Sequence, residues 1–94
     1  MLKAEHKVKG GKLIKVHLRK KDSKIDFIKI TGDFFMHPEE FIEDLEKILI
    51  GCPLNEAEIT KTIEAFIKKH EISLLGVTPK DFAKCIIKAG GVDG

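Results

Sequence analysis

The first third of the chain alternates apolar and polar residues with a period of two. Within 12–20, the apolar residues Ile14, Val16 and Leu18 alternate with polar ones, which is typical of a strand with one buried face. A polar turn follows, and 25–31 then carries apolar residues on both faces, which predicts the more central position in a sheet. Together the two runs predict an antiparallel hairpin. A short edge strand over 5–9, around Val8, is expected beside it.

The remaining two-thirds predicts three helices, each with its own start and stop signals. Pro38 suits the first position of the first helix, and Gly51 suits the left-handed residue that ends it. Asn55 has an acidic residue three positions later, which is the spacing of a capping box. The third helix is predicted to begin at 78–79 and to end at 90–91.

The predicted order of elements, (β)ββααα, indicates an α+β fold. A small antiparallel sheet of two or three strands is expected to pack against three helices. The length of 94 residues fits one domain over 1–94, and almost every residue falls in a predicted element, so a complete chain is expected. No window approaches the ~20 apolar residues of a membrane span. The first seven residues lack the apolar core of a signal peptide, so we expect a cytoplasmic protein with no membrane contact.

Charge is unevenly distributed, although the formal net charge of the whole chain is only +2. Residues 1–24 hold nine basic and two acidic groups, a net charge of +7. Residues 25–94 hold eight basic and 13 acidic groups, a net charge of −5. A basic segment of this kind attracts phosphate or carboxylate. A solvated strand face rich in lysine explains the pattern equally well, so both interpretations stay open.

No catalytic set and no metal site is predicted from the residues. No histidine or cysteine forms a closely spaced pair of the kind that zinc sites use, and Cys85 fits a small buried position in an apolar stripe. Neither Ser23 nor Ser73 lies in a nucleophile motif. Acidic residues of the first helix are interpreted as a solvated face: Glu39, Glu40, Glu43, Asp44 and Glu46.

A glycine pair flanked by lysines, Lys9-Gly10-Gly11-Lys12, is the first stretch with a potential role in binding. Adjacent glycines permit positive φ or a close backbone approach to a ligand, and the lysines add positive charge. The stretch lacks the spacing of a Walker phosphate loop. A glycine turn that enters a strand is the simpler interpretation, and an anion-binding turn remains open beside it.

The connection between the second strand and the first helix is the other such stretch. Thr31-Gly32-Asp33 ends the strand, and Phe34, Phe35 and Met36 follow before the helix. Loop aromatics usually close a core, and we expect one phenylalanine to do so. Three bulky apolar residues exceed what a short connection needs, which predicts an interface patch.

These stretches, in this order and at these separations, resemble the C-terminal accessory domain of lipoate–protein ligases. The resemblance covers about 7–89 and rests on 9–13, the lysine-bearing hairpin, 30–35, 38–40 with the acidic helix, 51–54 and 75–82. The large catalytic domain that precedes the accessory domain in that family is missing from the sequence. In some archaea the two parts are separate polypeptides, so the resemblance implies the free-standing small subunit of a two-chain ligase.

In that family the large domain activates lipoate with ATP to lipoyl-adenylate. It then transfers the lipoyl group to a lysine of an acceptor domain in 2-oxoacid dehydrogenase or glycine cleavage complexes. The resemblance therefore implies a heterodimer with a catalytic large subunit. The assembled enzyme is expected to use ATP, Mg²⁺ and lipoate, while this chain alone binds no cofactor and has no catalytic residue.

The resemblance also implies roles for individual residues. Lys9, Gly10, Gly11 and Lys12 are expected to approach the nucleotide. Thr31 and Gly32 are expected to shape the contact element, and the subunit interface is expected at Asp33, Phe34, Phe35 and Met36.

The main alternative is a small basic nucleic-acid-binding protein that uses the charge of residues 1–24. The chain has no Trp or Tyr, and its predicted strands place no exposed aromatic residue among the lysines, which disfavours base stacking. A sulfur-transfer or iron–sulfur scaffold is a second alternative, disfavoured because close cysteine pairs are missing. A domain excised from one long ligase is a third.

Overall fold

The computed structural model describes residues 1–91, which form five strands and three helices. The elements in chain order are β1 (Leu2–Lys7), β2 (Leu13–Lys21), β3 (Lys24–Gly32), β4 (Phe35–His37), α1 (Phe41–Leu49), α2 (Glu56–Lys69), β5 (Ser73–Leu75) and α3 (Pro79–Gly90). Helix α3 packs on β1 and β2, α1 packs on β3, and α2 lies against both helices. The predicted α+β fold of a small antiparallel sheet with three helices is confirmed.

The main sheet is antiparallel with the strand order β1-β2-β3, so β2 is the central strand. The prediction that the 25–31 run is central is therefore wrong. The expected edge strand over 5–9 is present as β1, but it covers Leu2–Lys7 and leaves Val8 in the turn that follows. A β-bulge explains the misleading pattern. Lys20 lies opposite Ile25 while Arg19 lies opposite Phe27, which leaves Asp26 as an extra residue in β3.

The bulge shifts the alternation of β3 by one residue. Its buried residues on either side of the shift are Ile25, Ile28 and Ile30. Phe27 consequently lies on the solvent side, 36% exposed, with the Arg19 guanidinium 5.8 Å from its ring centroid. The expectation that no aromatic residue is exposed among the basic residues of the strands is therefore wrong.

One hydrophobic core fills the space between the inner face of the main sheet and the helices. Alternate residues of β2 are fully buried there, as predicted, and Cys85 of α3 is also fully buried. Other fully buried side chains come from all three helices: Leu45, Leu49, Ile59, Ile63, Phe82 and Ile86.

A second, two-stranded sheet, β4–β5, is absent from the predicted order. Phe35 lies opposite Leu75 and His37 lies opposite Ser73 in an antiparallel pair. Each strand is three residues long, too short to show a period, and the partners are far apart in sequence. Met36, in the middle of β4, is only 6% exposed.

Helix α1 begins at Phe41, three residues later than the predicted start at Pro38. The intervening segment is a tight turn, because the Phe41 N–H donates to the Pro38 carbonyl at 3.3 Å and the Ile42 N–H donates to the Glu39 carbonyl at 3.1 Å. Glu40 occupies the N-cap without a side-chain capping bond.

The other helix boundaries agree with the predicted signals. Asn55 Oδ1 accepts the Glu58 N–H at 3.0 Å at the start of α2. Thr78 and Asp81 form a reciprocal capping box at the start of α3. Gly51, just after α1, has φ of +88°, which favours glycine there.

The outer edge of β3 is partly closed by side-chain and backbone groups. Glu46 of α1 is 8% exposed, and its Oε2 accepts the Ile30 N–H at 2.7 Å. The interpretation of Glu46 as part of a solvated face is therefore wrong. Ile25 exchanges backbone hydrogen bonds with Gly51 and Cys52 farther along the same edge.

None of the helices in the described residues is both long and apolar enough to cross a bilayer.

Candidate functional site

The fold brings the glycine–lysine stretch and the phenylalanine stretch to one end of the main sheet. The Leu13 N–H donates to Asp33 Oδ1 at 2.6 Å, and the Asp33 N–H donates to the Leu13 carbonyl at 3.1 Å. These two bonds tie the end of β3 to the start of β2. We call this end of the sheet, formed by 8–13 and 31–36, the turn end. The two hydrogen bonds of Asp33 fix the backbone of the turn end.

The glycine pair forms the turn between β1 and β2. The Val8 N–H donates to the Lys12 carbonyl at 2.7 Å, and the Gly11 N–H donates to the Val8 carbonyl at 3.0 Å. Gly10 and Gly11 have φ of +104° and +99°, values that side chains other than glycine rarely adopt. A Cβ at either position would meet no atom of the described residues within 4 Å. The stretch is therefore a glycine turn with an open outer surface.

Lys12 is held in place by the loop between β5 and α3. A Cβ built on Gly76 would lie 2.6 Å from Lys12 Cγ, so the aliphatic stem of Lys12 lies directly over that glycine. Neither Lys9 nor Lys12 makes an ion pair within residues 1–91. The turn end therefore presents two lysines without a carboxylate partner in the part of the chain that the structure describes.

The three apolar residues of the phenylalanine stretch have different environments. Phe34 is half-buried and packs edge-to-face on Phe82, with 5.0 Å between ring centroids, so it closes the core as expected of one phenylalanine. Met36 is also a core residue, which contradicts its expected place in an exposed patch. Phe35 alone of the three is largely exposed, at 66%.

Phe35 has an exposed apolar neighbour that the sequence did not reveal. Leu75, its partner in the β4–β5 sheet, is also 66% exposed. We call these two side chains the Phe35–Leu75 pair. Its sequence signal, two adjacent leucines between α2 and α3, is too weak to identify without the pairing. Beside Phe35 lies an open groove of about 470 Å³ whose lining includes Thr31, Gly32 and Ile42.

The cysteines are unsuited to nucleophilic chemistry. Burial raises the pKa of the Cys85 thiol to about 11, so the thiol stays protonated near neutral pH. Burial also raises the pKa of Cys52, partly offset by the Thr62 hydroxyl. Within residues 1–91, no three His, Cys, Asp or Glu side chains are grouped so that they could hold a metal ion.

Comparisons with known proteins identify similar chains. A family model described as the bacterial lipoate protein ligase C-terminus matches residues 1–86. Lipoate-protein ligase A subunit 2 of Thermoplasma acidophilum is 39% identical over 80 residues, which cover 85% of this chain and 81% of that protein. A chain from the structure of a bi-partite lipoate protein ligase and its E2 lipoyl domain from Thermoplasma acidophilum superposes with a TM-score of 0.78. It is 34% identical, over 92% of this chain and 94% of that chain.

Proposed function

Because the chain belongs to the family of the bacterial lipoate protein ligase C-terminus, we propose that it is the accessory small subunit of a two-chain lipoate–protein ligase. The observation that carries this proposal is the 39% identity to a protein that is itself named subunit 2 of such a ligase. A separate large subunit holds the catalytic residues, and this chain is required for ATP-dependent activation of lipoate to lipoyl-AMP. These relatives give no support to the nucleic-acid-binding alternative.

The subunit contact is proposed to lie at the turn end. Two adjacent side chains that are each two-thirds exposed, Phe35 and Leu75, offer an apolar contact of the kind that anchors interfaces. Phe34 and Asp33 support this contact from behind, Phe34 by packing on Phe82 and Asp33 by fixing the backbone. The groove beside Phe35 gives the partner a concave surface to fill.

The glycine turn is proposed to lie close to the nucleotide in the assembled enzyme. ATP brings negative phosphates up to the lipoate carboxylate, and positive charge aimed at that point lowers the barrier to adenylation. Lys9 and Lys12 carry such charge, and the open backbone at Gly10 and Gly11 permits a close approach. ATP, Mg²⁺ and lipoate belong to the assembled heterodimer, and no cofactor is assigned to this chain alone.

The acceptors are proposed to be lysine-bearing lipoyl domains of 2-oxoacid dehydrogenase or glycine cleavage complexes, which react at the large subunit. The small subunit is proposed to be a single domain over 1–94 that works in the cytoplasm.

Mixing the two chains is expected to give a heterodimer with one copy of each. Sedimentation velocity of the large subunit, of this chain and of the mixture measures the stoichiometry directly. A mixture that sediments as the two separate chains at micromolar concentration would contradict the proposed function. A control with Ile50→Ser, an exposed apolar residue beside the opposite end of the sheet, should behave as the natural chain does.

Removing the charge of Lys12 is expected to slow adenylate formation and to spare the later transfer step. Lys12→Met is the suitable change, because it keeps an aliphatic stem over Gly76 and removes only the ammonium group. One lost charge-assisted contact costs about 1.5–3 kcal/mol, on the order of 10- to 100-fold in rate. Transfer from preformed lipoyl-adenylate should change less than about 3-fold, because the triphosphate has already left.

Single-turnover assays of each step with the heterodimer test this prediction. Lys84→Met on the exposed side of α3 is the matched control and should leave both steps unchanged. Equal slowing of both steps by Lys12→Met would assign the effect to weaker subunit association, and no effect on either step would remove Lys12 from the nucleotide site.

A further inference from the structure

The outer face of the main sheet is uncovered and strongly basic. Helices α1 and α3 pack against the sheet through its buried residues, and no helix of residues 1–91 covers the opposite side. That side, which we call the outer face, carries seven exposed cations: Lys3, Lys7, Lys15, Arg19, Lys21, Lys24 and Lys29. An antiparallel sheet with one solvated face is common, but on this face the cations greatly outnumber the carboxylates.

Two cations lie directly opposite one another at one end of the outer face, and others lie in neighbouring rows. Lys21 of β2 faces Lys24 of β3, and His17 lies between Lys3 and Lys29 in one cross-strand row. Opposite residues of like charge destabilise a sheet. The stability of the fold therefore does not account for the Lys21–Lys24 pair, and the excess of cations on the face favours a role in binding an anionic surface.

A shallow groove on this side concentrates the cations further. It measures about 350 Å³ and is lined by Lys3, Ala4, Glu5, Lys15, His17 and Lys88. Lys88 belongs to α3 and reaches the edge of β1, where its Nζ donates to the Glu5 carbonyl at 2.9 Å. Basic groups from two layers of the fold thus surround one groove that an acidic side chain can enter.

We propose that the outer face docks an acidic surface of the acceptor protein and brings it beside the large subunit. This inference rests on the proposed function. The outer face reaches the turn end through Lys7 and Thr31, so a large subunit bound at the Phe35–Leu75 pair leaves the face open next to it. An acceptor docked there lies adjacent to the catalytic subunit.

The details of the face fit a protein surface better than a nucleic acid strand. Its aromatic residue, Phe27, is covered by Arg19, whose guanidinium also binds Asp26 at 2.7 Å, so it offers no platform for successive bases. Glu5 lies 3.8 Å from Lys15 on the same face. Glu5 and Asp26 interrupt the cations, so the face offers no continuous track for a phosphate backbone, whereas separate acidic side chains of a protein can contact the cations one by one.

The area of the face fits a short-lived complex. Three strands of up to nine residues span roughly 30 Å by 15 Å, or about 450 Å², from the rise per residue and strand spacing of β-sheets. A stable complex buries about 800 Å² per partner. An acceptor must leave after each transfer, so a small, charge-driven contact suits it.

Charge reversal on the outer face tests the inference. Lys21→Glu turns the like-charge pair with Lys24 into an opposite-charge pair, and Lys3→Glu changes an exposed residue opposite His17, so the double variant should fold about as stably as the natural chain. The heterodimer is assayed with apo lipoyl domain from the same organism at low ionic strength. We expect the KM for the lipoyl domain to rise on the order of 10-fold and its salt dependence to weaken. Adenylate formation and heterodimer affinity should not change.

Lys69→Glu with Lys84→Glu, on the helical side, is the control with the same change in net charge, and its KM should remain that of the natural chain. An unchanged KM for the outer-face variant, or an equal rise in the control, overturns the inference. Loss of heterodimer affinity makes the outer face a subunit interface and also overturns it. The inference is also overturned if a labelled oligouridine binds the natural heterodimer more tightly than the lipoyl domain binds it, and binds the heterodimer with the outer-face variant more weakly.

The same assays separate this inference from the proposed function. If the natural chain fails to stimulate adenylate formation by the large subunit, the proposed function is wrong and the inference falls with it. If the natural chain stimulates and only the KM test fails, the inference alone is wrong.

Discussion

Replacing both Phe35 and Leu75 by serine is expected to weaken binding of the large subunit by roughly 100-fold or more. Truncating an aromatic anchor in an interface weakens the binding free energy by about 2 kcal/mol or more, which is about 30-fold in affinity. Loss of the neighbouring leucine weakens binding further. Both side chains are 66% exposed in this chain, so the fold does not depend on them for its core. The lost cross-strand contact should cost at most about 1 kcal/mol of unfolding free energy.

Isothermal titration of the large subunit with each variant measures this effect. Ile50→Ser is the matched control, because Ile50 is 50% exposed and lies beside the opposite end of the sheet, next to the β2–β3 turn. Circular dichroism establishes that each variant is folded. A folded double variant that binds within about 3-fold of the natural chain would move the subunit contact away from the turn end.

Features that depend on a few neighbouring residues were predictable from the sequence. Asn55 and Thr78 cap helices through side-chain bonds to residues three positions later, and Gly51 ends a helix with positive φ. The alternation of β2 predicted its buried face because β2 is regular, the extra residue of the bulge being in β3. Such signals are local, and the tertiary structure did not override them.

Features that depend on distant parts of the chain were not predictable. The bulge at Asp26 made β3 look apolar on both faces and concealed the exposure of Phe27. Glu46 looked like one of several solvated carboxylates, yet it is buried because it accepts a backbone N–H from the open edge of β3. In both cases the partner strand or helix decides which way the residue faces.

The candidate site shows the same division. The glycine turn was expected from two adjacent glycines, and its positive φ values agree with that interpretation. The pairing of β4 with β5, which joins residues almost 40 positions apart, decides which apolar residues are exposed. The β4–β5 pairing buries Met36, which the sequence predicted in the interface patch. It leaves Leu75 exposed, a residue that the sequence did not single out.

This chain is expected to raise the rate at which the large subunit activates lipoate, on the order of 100-fold or more. Removing the whole chain takes away both lysines of the glycine turn and the contact at the turn end. Loss of a single stabilising donor already costs about 100- to 1,000-fold in enzymes that depend on electrostatic stabilisation. The isolated chain should itself form no lipoyl-adenylate, because no catalytic set is predicted in its sequence.

The rate of lipoyl-adenylate formation from lipoate and ATP, with each subunit alone and with both together, tests the accessory role most directly. We expect no product with this chain, little or none with the large subunit, and a rise on the order of 100-fold in the mixture that saturates at one copy of each. A large subunit that forms lipoyl-adenylate alone at the rate of the mixture would contradict the accessory role.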